Sequence, residues 1–279
     1  MRRGRRAGFT LMAGCVTAAL IGAGCGSSTP IGALFPTAYA STINAKSAKV
    51  TIAADIKTPK GAVTSTGSGA IDWGAHQAQL TENTSVPGAA APASVTEVID
   101  GTDLYVQLPP AARSALGNKP WFKVSLAQFE GQQGGSQDPS QILSVLNAKS
   151  SSVTKIGTEQ VGGVSTTHYR AQVDPTKAAP NAGPAARKLL AQLPALTGSP
   201  TLPIDVWIDG TGKARQLRYS LTLNKPPAAA PPTASQAFPE TTTITLGLSD
   251  YGTPVQVNVP PPDQVSTQTL PGLSGSQGA

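Results

Sequence analysis

The chain has 279 residues, only 13% of them charged, and a formal net charge of +6. Four of its 21 basic residues are Arg2, Arg3, Arg5 and Arg6, so the rest of the chain carries 17 against 15 acidic residues. That surplus gives no electrostatic footprint for nucleic acid, and two cysteines with two histidines argue against a metal site built on those ligands.

The N-terminus has the three-part layout of a secretory signal: the four arginines, an uncharged run rich in Ala, Gly, Leu and Ile to Gly24, then Cys25 and a polar, Pro-punctuated stretch. The small residues of Ile21-Gly22-Ala23-Gly24-Cys25 look like a lipobox, the site where a bacterial lipoprotein is cleaved and its cysteine acylated. Gly22 departs from the Leu usual there, and Leu11-Met12-Ala13-Gly14-Cys15 fits more literally. Cleavage before Cys15 would leave an apolar core near the lower limit of ~7 residues, so Cys25 is favoured. Residues 1–24 are then a signal peptide, exported by the general secretory or the twin-arginine route. Residues 25–41 are a lipidated cysteine with a flexible tether, long enough to hold a domain roughly 20 Å from the membrane. Two acyl chains on Cys25 suffice for stable anchoring. No cysteine of the mature chain is left for a disulfide, so the fold rests on its core.

Residues 42–259 form one domain. A weak helical pattern covers 36–46, and strand alternation follows. Val50, Ile52, Ala54 and Ile56 alternate with Lys49, Thr51, Asp55 and Lys57; Leu104, Val106 and Leu108 with Asp103, Tyr105 and Gln107. Two stretches break the period. Asp138-Pro139-Ser140 opens a helix through Ile142, Leu143, Val145 and Leu146, and Pro184 opens another over 185–196, with Leu189, Leu190, Leu193 and Leu196 on one stripe. Alternation resumes at Ile204, Val206 and Ile208, at Leu217, Tyr219, Leu221 and Leu223, and at Ile244, Leu246 and Leu248. Asp72-Trp73-Gly74, Asp100-Gly101-Thr102 and Asp209-Gly210-Thr211-Gly212 sit between such runs as hairpin turns. Residues 225–237 read as an exposed Ala/Pro-rich loop, and 260–279 as a disordered tail. The pattern predicts an α+β protein with an antiparallel sheet of about ten or eleven strands, one face covered and one wet.

Four segments carry a family resemblance. They are Asp100-Gly101-Thr102-Asp103-Leu104-Tyr105-Val106-Gln107-Leu108-Pro109, Lys119-Pro120-Trp121-Phe122-Lys123-Val124, Val161-Gly162-Gly163-Val164-Ser165-Thr166-Thr167-His168-Tyr169-Arg170-Ala171 and Leu202-Pro203-Ile204-Asp205-Val206-Trp207-Ile208-Asp209. Their order and spacing, over most of residues 42–225, resemble the actinobacterial LppX/LprAFG lipoprotein family. The resemblance implies a curved half-barrel of about eleven strands with two or three helices over its concave face, similar to the LolA/LolB lipoprotein carriers. It also implies a carrier of lipid or acylated glycolipid at the outer, extracytoplasmic face of the cell membrane.

A sheet this wide has more apolar face than two or three helices cover, so it must curl, and the rest of that face needs another apolar partner. One acyl chain of ~16 carbons gains roughly 12 kcal/mol on leaving water, at ~0.8 kcal/mol per methylene. The expected lipid-cavity residues are Val50, Ile52, Ile56, Leu104, Val106, Leu143, Leu146, Leu189, Leu193, Val206, Leu217, Tyr219, Leu221, Ile244 and Leu246. Each is equally a candidate for ordinary core. The expected partners are lipid or acylated glycolipid, the membrane through Cys25, and a transporter or other envelope protein, with the chain itself a monomer. The alternative is a tethered interaction or sensor-regulating module without a lipid ligand.

Catalytic signatures are missing from the sequence, and no enzyme activity, cofactor or metal is expected. Gly210-Thr211-Gly212-Lys213 lacks the flanking residues of a phosphate loop, because Trp207 and Ala214 stand where it needs Gly and Ser or Thr. Trp207 also breaks any calcium loop built on Asp205 and Asp209. His168 falls opposite Tyr169 and Ala171, on the side expected to be wet, and His76 lies near a turn. Asp55, Asp72, Glu82, Glu97, Asp103 and Asp174 look scattered and strand-flanking, and Trp73, Trp121 and Trp207 look like packing or edge-covering residues.

Overall fold

The computed structural model describes residues 33–266, except 90, 111–112, 115–116, 127–138, 145, 147–149, 178–183 and 227–237. The signal segment, Cys15, Cys25, most of the 225–237 loop and the tail beyond Ser266 therefore lie outside the described residues. Among the described residues, twelve strands form one curved, open sheet. In chain order they are β1 (Ser47–Thr58), β2 (Gly61–Asp72), β3 (Gln77–Ser85), β4 (Ala93–Asp100), β5 (Asp103–Gln107), β6 (Trp121–Ser125), β7 (Ser150–Val161), β8 (Val164–Val173), β9 (Leu202–Asp209), β10 (Ala214–Leu223), β11 (Glu240–Ser249) and β12 (Val265–Ser266). The helices are α1 (Leu34–Ile43), α2 (Pro139–Ser144) and α3 (Pro184–Thr197).

Across the sheet the order is β12-β6-β5-β4-β3-β2-β1-β11-β10-β9-β8-β7. Two antiparallel meanders, β1 to β6 and β7 to β11, are joined at the centre by β1 pairing with β11 from Lys49↔Ser249 to Lys57↔Thr241. Consecutive strands β6 and β7 stand far apart in that order, and the segment carrying α2 connects them. The architecture is an α+β half-barrel.

Alternation sets the two faces. In β1 the pattern is strict: Ala48, Val50, Ile52 and Ala54 are buried while Lys49, Thr51 and Ala53 are exposed. The buried set meets the corresponding residues of β2, β3 and β8 to β11 and those of α1 and α2 in one large cluster. Phe35, Ala38 and Thr42 give α1 its buried stripe, and Pro36 is tolerated in the first turn, where no intrahelical N–H is required. At the bulge between Ala214 and Gln216 the Ala214 N–H donates to Thr42 Oγ at 3.0 Å, and Tyr251 Oη donates to the Ala214 carbonyl. Helix and bulge thus complete each other's hydrogen bonds. Pro184 starts α3, and Gly198, at φ +75, ends it by donating its N–H to the Pro194 carbonyl at 3.0 Å.

Two boundaries and the strand count differ from the sequence reading. α1 takes residues 34–41 out of the expected tether, because Phe35 and Ala38 are each only 2% exposed. The sheet has twelve strands rather than ten or eleven. The extra strand, β12, comes from the expected tail and pairs in parallel with β6 through Val265↔Trp121 and Ser266↔Phe122. To reach it the chain crosses the outer face as a strap: Ser47 Oγ donates to the Thr253 carbonyl at 2.6 Å, and Asn258 N–H to Gln79 Oε1 at 2.9 Å. Val98 faces this side, next to Gln79, and is fully buried.

Candidate functional site: the concave face

Cross-strand register gathers most apolar residues of the long strands on one face, with Val98 and Trp207 buried on the other. Ile52 lies beside Gly67, which lies beside Glu82; Leu80 lies beside Glu97, which lies beside Val106. The concave face therefore runs without a break from β9 through β1 to β6. It carries two apolar clusters. The larger is covered by α1 and α2. The smaller, Leu104, Val106 and Phe122 with half-buried Val95, Ile99, Leu108, Val124 and the helical Leu126, draws its described members from β4, β5, β6 and their flanks.

Most of the expected cavity residues lie on this face. Val50, Ile52, Leu143, Leu146, Val206, Leu217 and Leu246 are at most 3% exposed and pack into the larger cluster, so they are core in this conformation. Tyr219 and Ile244 are half-buried against it, and burial pushes the Tyr219 hydroxyl up to about 12. Ile56 is half-buried at the far end of β1. Leu104 and Val106 belong to the smaller cluster, away from the rest. Leu189 lies on α3, with its side chain outside the described residues.

Leu193 and Leu221 line a pocket of about 150 Å³ between the end of α3 and the ends of β9 and β10. An apolar cavity of about that size holds a benzene molecule, so this one takes roughly six carbons. Leu202, Pro175 and Pro203 complete its apolar wall. The hydroxyls around it already have protein partners: Thr197 donates to the Leu193 carbonyl, Ser199 to the Thr201 carbonyl and Thr201 to Gln172 Oε1. Ser220 and Thr222 pair with Thr243 and Thr241, each at 2.9 Å. The hydroxyls are thus already engaged, and the rest of the wall is apolar.

The polar residues required more correction. Glu82 and Glu97 are not strand-flanking: both sit within strands, facing the concavity where the two apolar clusters meet. The hint was present in β3, where Ala78 and Leu80 are followed by Glu82 at the next inward position. Burial raises the Glu82 carboxyl, a hydrogen bond with Ser65 only partly offsets this, and Oε1 is closed off without a partner. Glu82 has room because its neighbour is Gly67, where a Cβ would come within 2.9 Å of its Cγ.

His168 is on the outer face as expected, yet it is only 5% exposed. Its Nδ1 lies 2.8 Å from Glu159 Oε1 and its Nε2 2.9 Å from Asp205 Oδ1. The ring stacks on Trp207 with centroids 4.2 Å apart, and the Trp207 indole N–H donates to Glu159 Oε2 at 2.7 Å. Arg170 donates twice to Asp205, and Arg218 adds a longer contact of 3.4 Å. Burial tends to raise the Asp205 carboxyl, but its bonds with Arg170 and His168 hold it below its ordinary value. Glu159 is lowered by its bonds with Trp207 and His168. On the outer face of β7 to β10, His168, Trp207 and Asp205 are thus buried in a polar network at positions that alternation alone reads as wet surface. His76 lies in the β2–β3 turn at φ +55.

The described residues contain no cluster of three or more metal-ligating side chains, and no helix among them is long and apolar enough to cross a membrane. No protein-family profile and no curated protein matches the chain. Solved structures do match. This chain is similar to mycobacterial lipoproteins. LprF from Mycobacterium bovis is 14% identical, with 81% of this chain and 95% of that one covered at a TM-score of 0.45. LppX from Mycobacterium tuberculosis is 17% identical, with 81% and 98% covered at a TM-score of 0.44. A LolA superfamily protein from Nitrosomonas europaea is 9% identical, with 80% and 95% covered at a TM-score of 0.29. Likeness at these values says nothing of what this chain binds, and its own geometry must speak to that.

Proposed function

We propose that the protein is an envelope lipoprotein, anchored through acylated Cys25 at the outer face of the cell membrane, that binds and carries lipid or acylated glycolipid on the concave face of its half-barrel. One observation carries this reading: Leu193, Leu202 and Leu221 line a pocket of about 150 Å³ at the edge of the half-barrel. An acyl chain gains burial there without any polar partner, and the rest of it follows the concave face. The hydrocarbon pocket beside Leu193 and Leu221 accepts a chain end. No metal or catalytic group enters the mechanism. The chain moves between membrane and sheet because apolar burial has no directional requirement, and a membrane or partner protein accepts it on release.

The test is to purify the full-length chain from membranes and analyse it by native mass spectrometry with lipid extraction. Acyl lipid bound at about one molecule per chain is expected at an affinity tight enough to survive purification. A ligand-free chain that also ignores fluorescent acyl probes would overturn the reading. That outcome would favour the interaction module, for which β7 is the relevant element: it ends the sheet and exposes Ile156 at 49%.

A further inference from the structure

The concave face presents a carboxyl where a pure hydrocarbon binder has no use for one. Glu82 stands mid-strand in β3, between Leu80 and the Ser65–Thr84 hydroxyl pair, which is hydrogen-bonded at 3.1 Å. The residue is half-buried, so the concavity gives access to it, yet Oε1 is shut off over Gly67 and has no hydrogen-bond partner. Both flanks are apolar: Ile52 lies across Gly67 on one side, and Val95 pairs with Glu82 on the other. An unsatisfied polar atom there is a loss that turning the carboxyl towards a donor in the concavity removes. The adjacent β2 residue is glycine, which leaves the carboxyl the room of one side chain.

We infer that Glu82 is a specificity-determining residue for the bound amphiphile, hydrogen-bonding a hydroxyl of an uncharged head group and turning away anionic head groups. This rests on the lipid-binding reading above. The chemistry follows from the surroundings. A carboxylate accepts a hydrogen bond from a hydroxyl and has no donor to offer an anion. A phosphate or carboxylate head in the same place would sit against a poorly solvated acid, with Glu97 diagonally adjacent on β4, and like charges there repel. The acyl chain continues over the apolar face and supplies affinity, while Glu82 selects among heads.

The experiment displaces a fluorescent acyl probe from the full-length chain with two amphiphiles of equal chain length, dodecyl glucoside and dodecyl phosphate, both below their micelle concentrations. The native chain is expected to prefer the glucoside by about tenfold or more. Glu82→Leu should bring the two affinities to within about threefold of each other, by losing the hydroxyl contact and admitting the phosphate. Glu82→Gln keeps an acceptor and gains a donor without acidity, so it should hold glucoside affinity within about threefold while phosphate affinity rises. An unchanged glucoside-to-phosphate ratio in both variants overturns the inference, even with strong acyl binding throughout. A native chain that binds neither the probe nor either amphiphile overturns the lipid-binding reading and takes the inference with it. If Glu82→Leu fails to fold, the Glu82→Gln ratio alone decides.

Discussion

Asp205 shows what one side chain does in a sealed polar network. It accepts from Arg170 Nε at 2.9 Å and Nη2 at 3.2 Å, and it meets His168 Nε2 on its other side. Asp205, Asp209 and Glu159 are all held below their ordinary carboxylate values, so the folded chain binds fewer protons there than the unfolded chain does. Their contribution to stability is complete above the unfolded value near ~4, and it is lost as pH falls through the lower folded values. Asp205→Asn is expected to cost about 1–3 kcal/mol at pH 7 and to flatten the decline in urea midpoint below about pH 4. Urea melts of both proteins across that range check this. An Asp205→Asn acid limb as steep as the native one would mean that the network does not govern acid stability.

Among the elements, α1 is the one whose role the sequence understated. It was readable as a weak helix over 36–46, because its buried residues Phe35, Ala38 and Thr42 are spaced at helical intervals in an otherwise mixed segment. What the spacing could not show is that Thr42 faces the bulge at Ala214 and satisfies a backbone N–H left over there. Thr42 is fully buried, so Thr42→Val keeps the shape and strands that donor. A loss of about 1–3 kcal/mol in unfolding free energy is expected, with faster hydrogen exchange at the start of β10. The outer strap shows the same dependence on distant partners: Pro and polar residues after β11 read as tail, and only the registers of Gln79 with Asn258 and of Trp121 with Val265 make it part of the sheet.

At the scale of the whole molecule, anchoring and carriage have to be compatible. If Cys25 carries the anchor, as proposed, α1 beginning at Leu34 leaves a shorter segment between them than the sequence reading supposed. Cys25→Ser is expected to move the protein from the membrane fraction to the soluble fraction, whereas Cys15→Ser leaves it in place; fractionation with immunoblotting distinguishes them. The reverse pattern would put the anchor at Cys15.

Alternation in single strands was enough to call for a wide antiparallel sheet, its hairpin turns and the side of each strand that faces inward, because the strand's period of two is a local property. It marked Val50, Val206, Leu217 and Leu246 as inward without distinguishing a ligand-facing residue from a core residue, since both must be apolar. Which residues cover which was decided only by the tertiary structure. The meeting of β1 with β11 put α1 and α2 over one cluster and left another on β4 to β6. Pairings within each meander buried His168 and Trp207 on the outer side and set Glu82 between apolar neighbours. Sidedness is written in neighbours along the chain, whereas burial and hydrogen-bond satisfaction depend on strands brought together by the fold, and no local pattern encodes them.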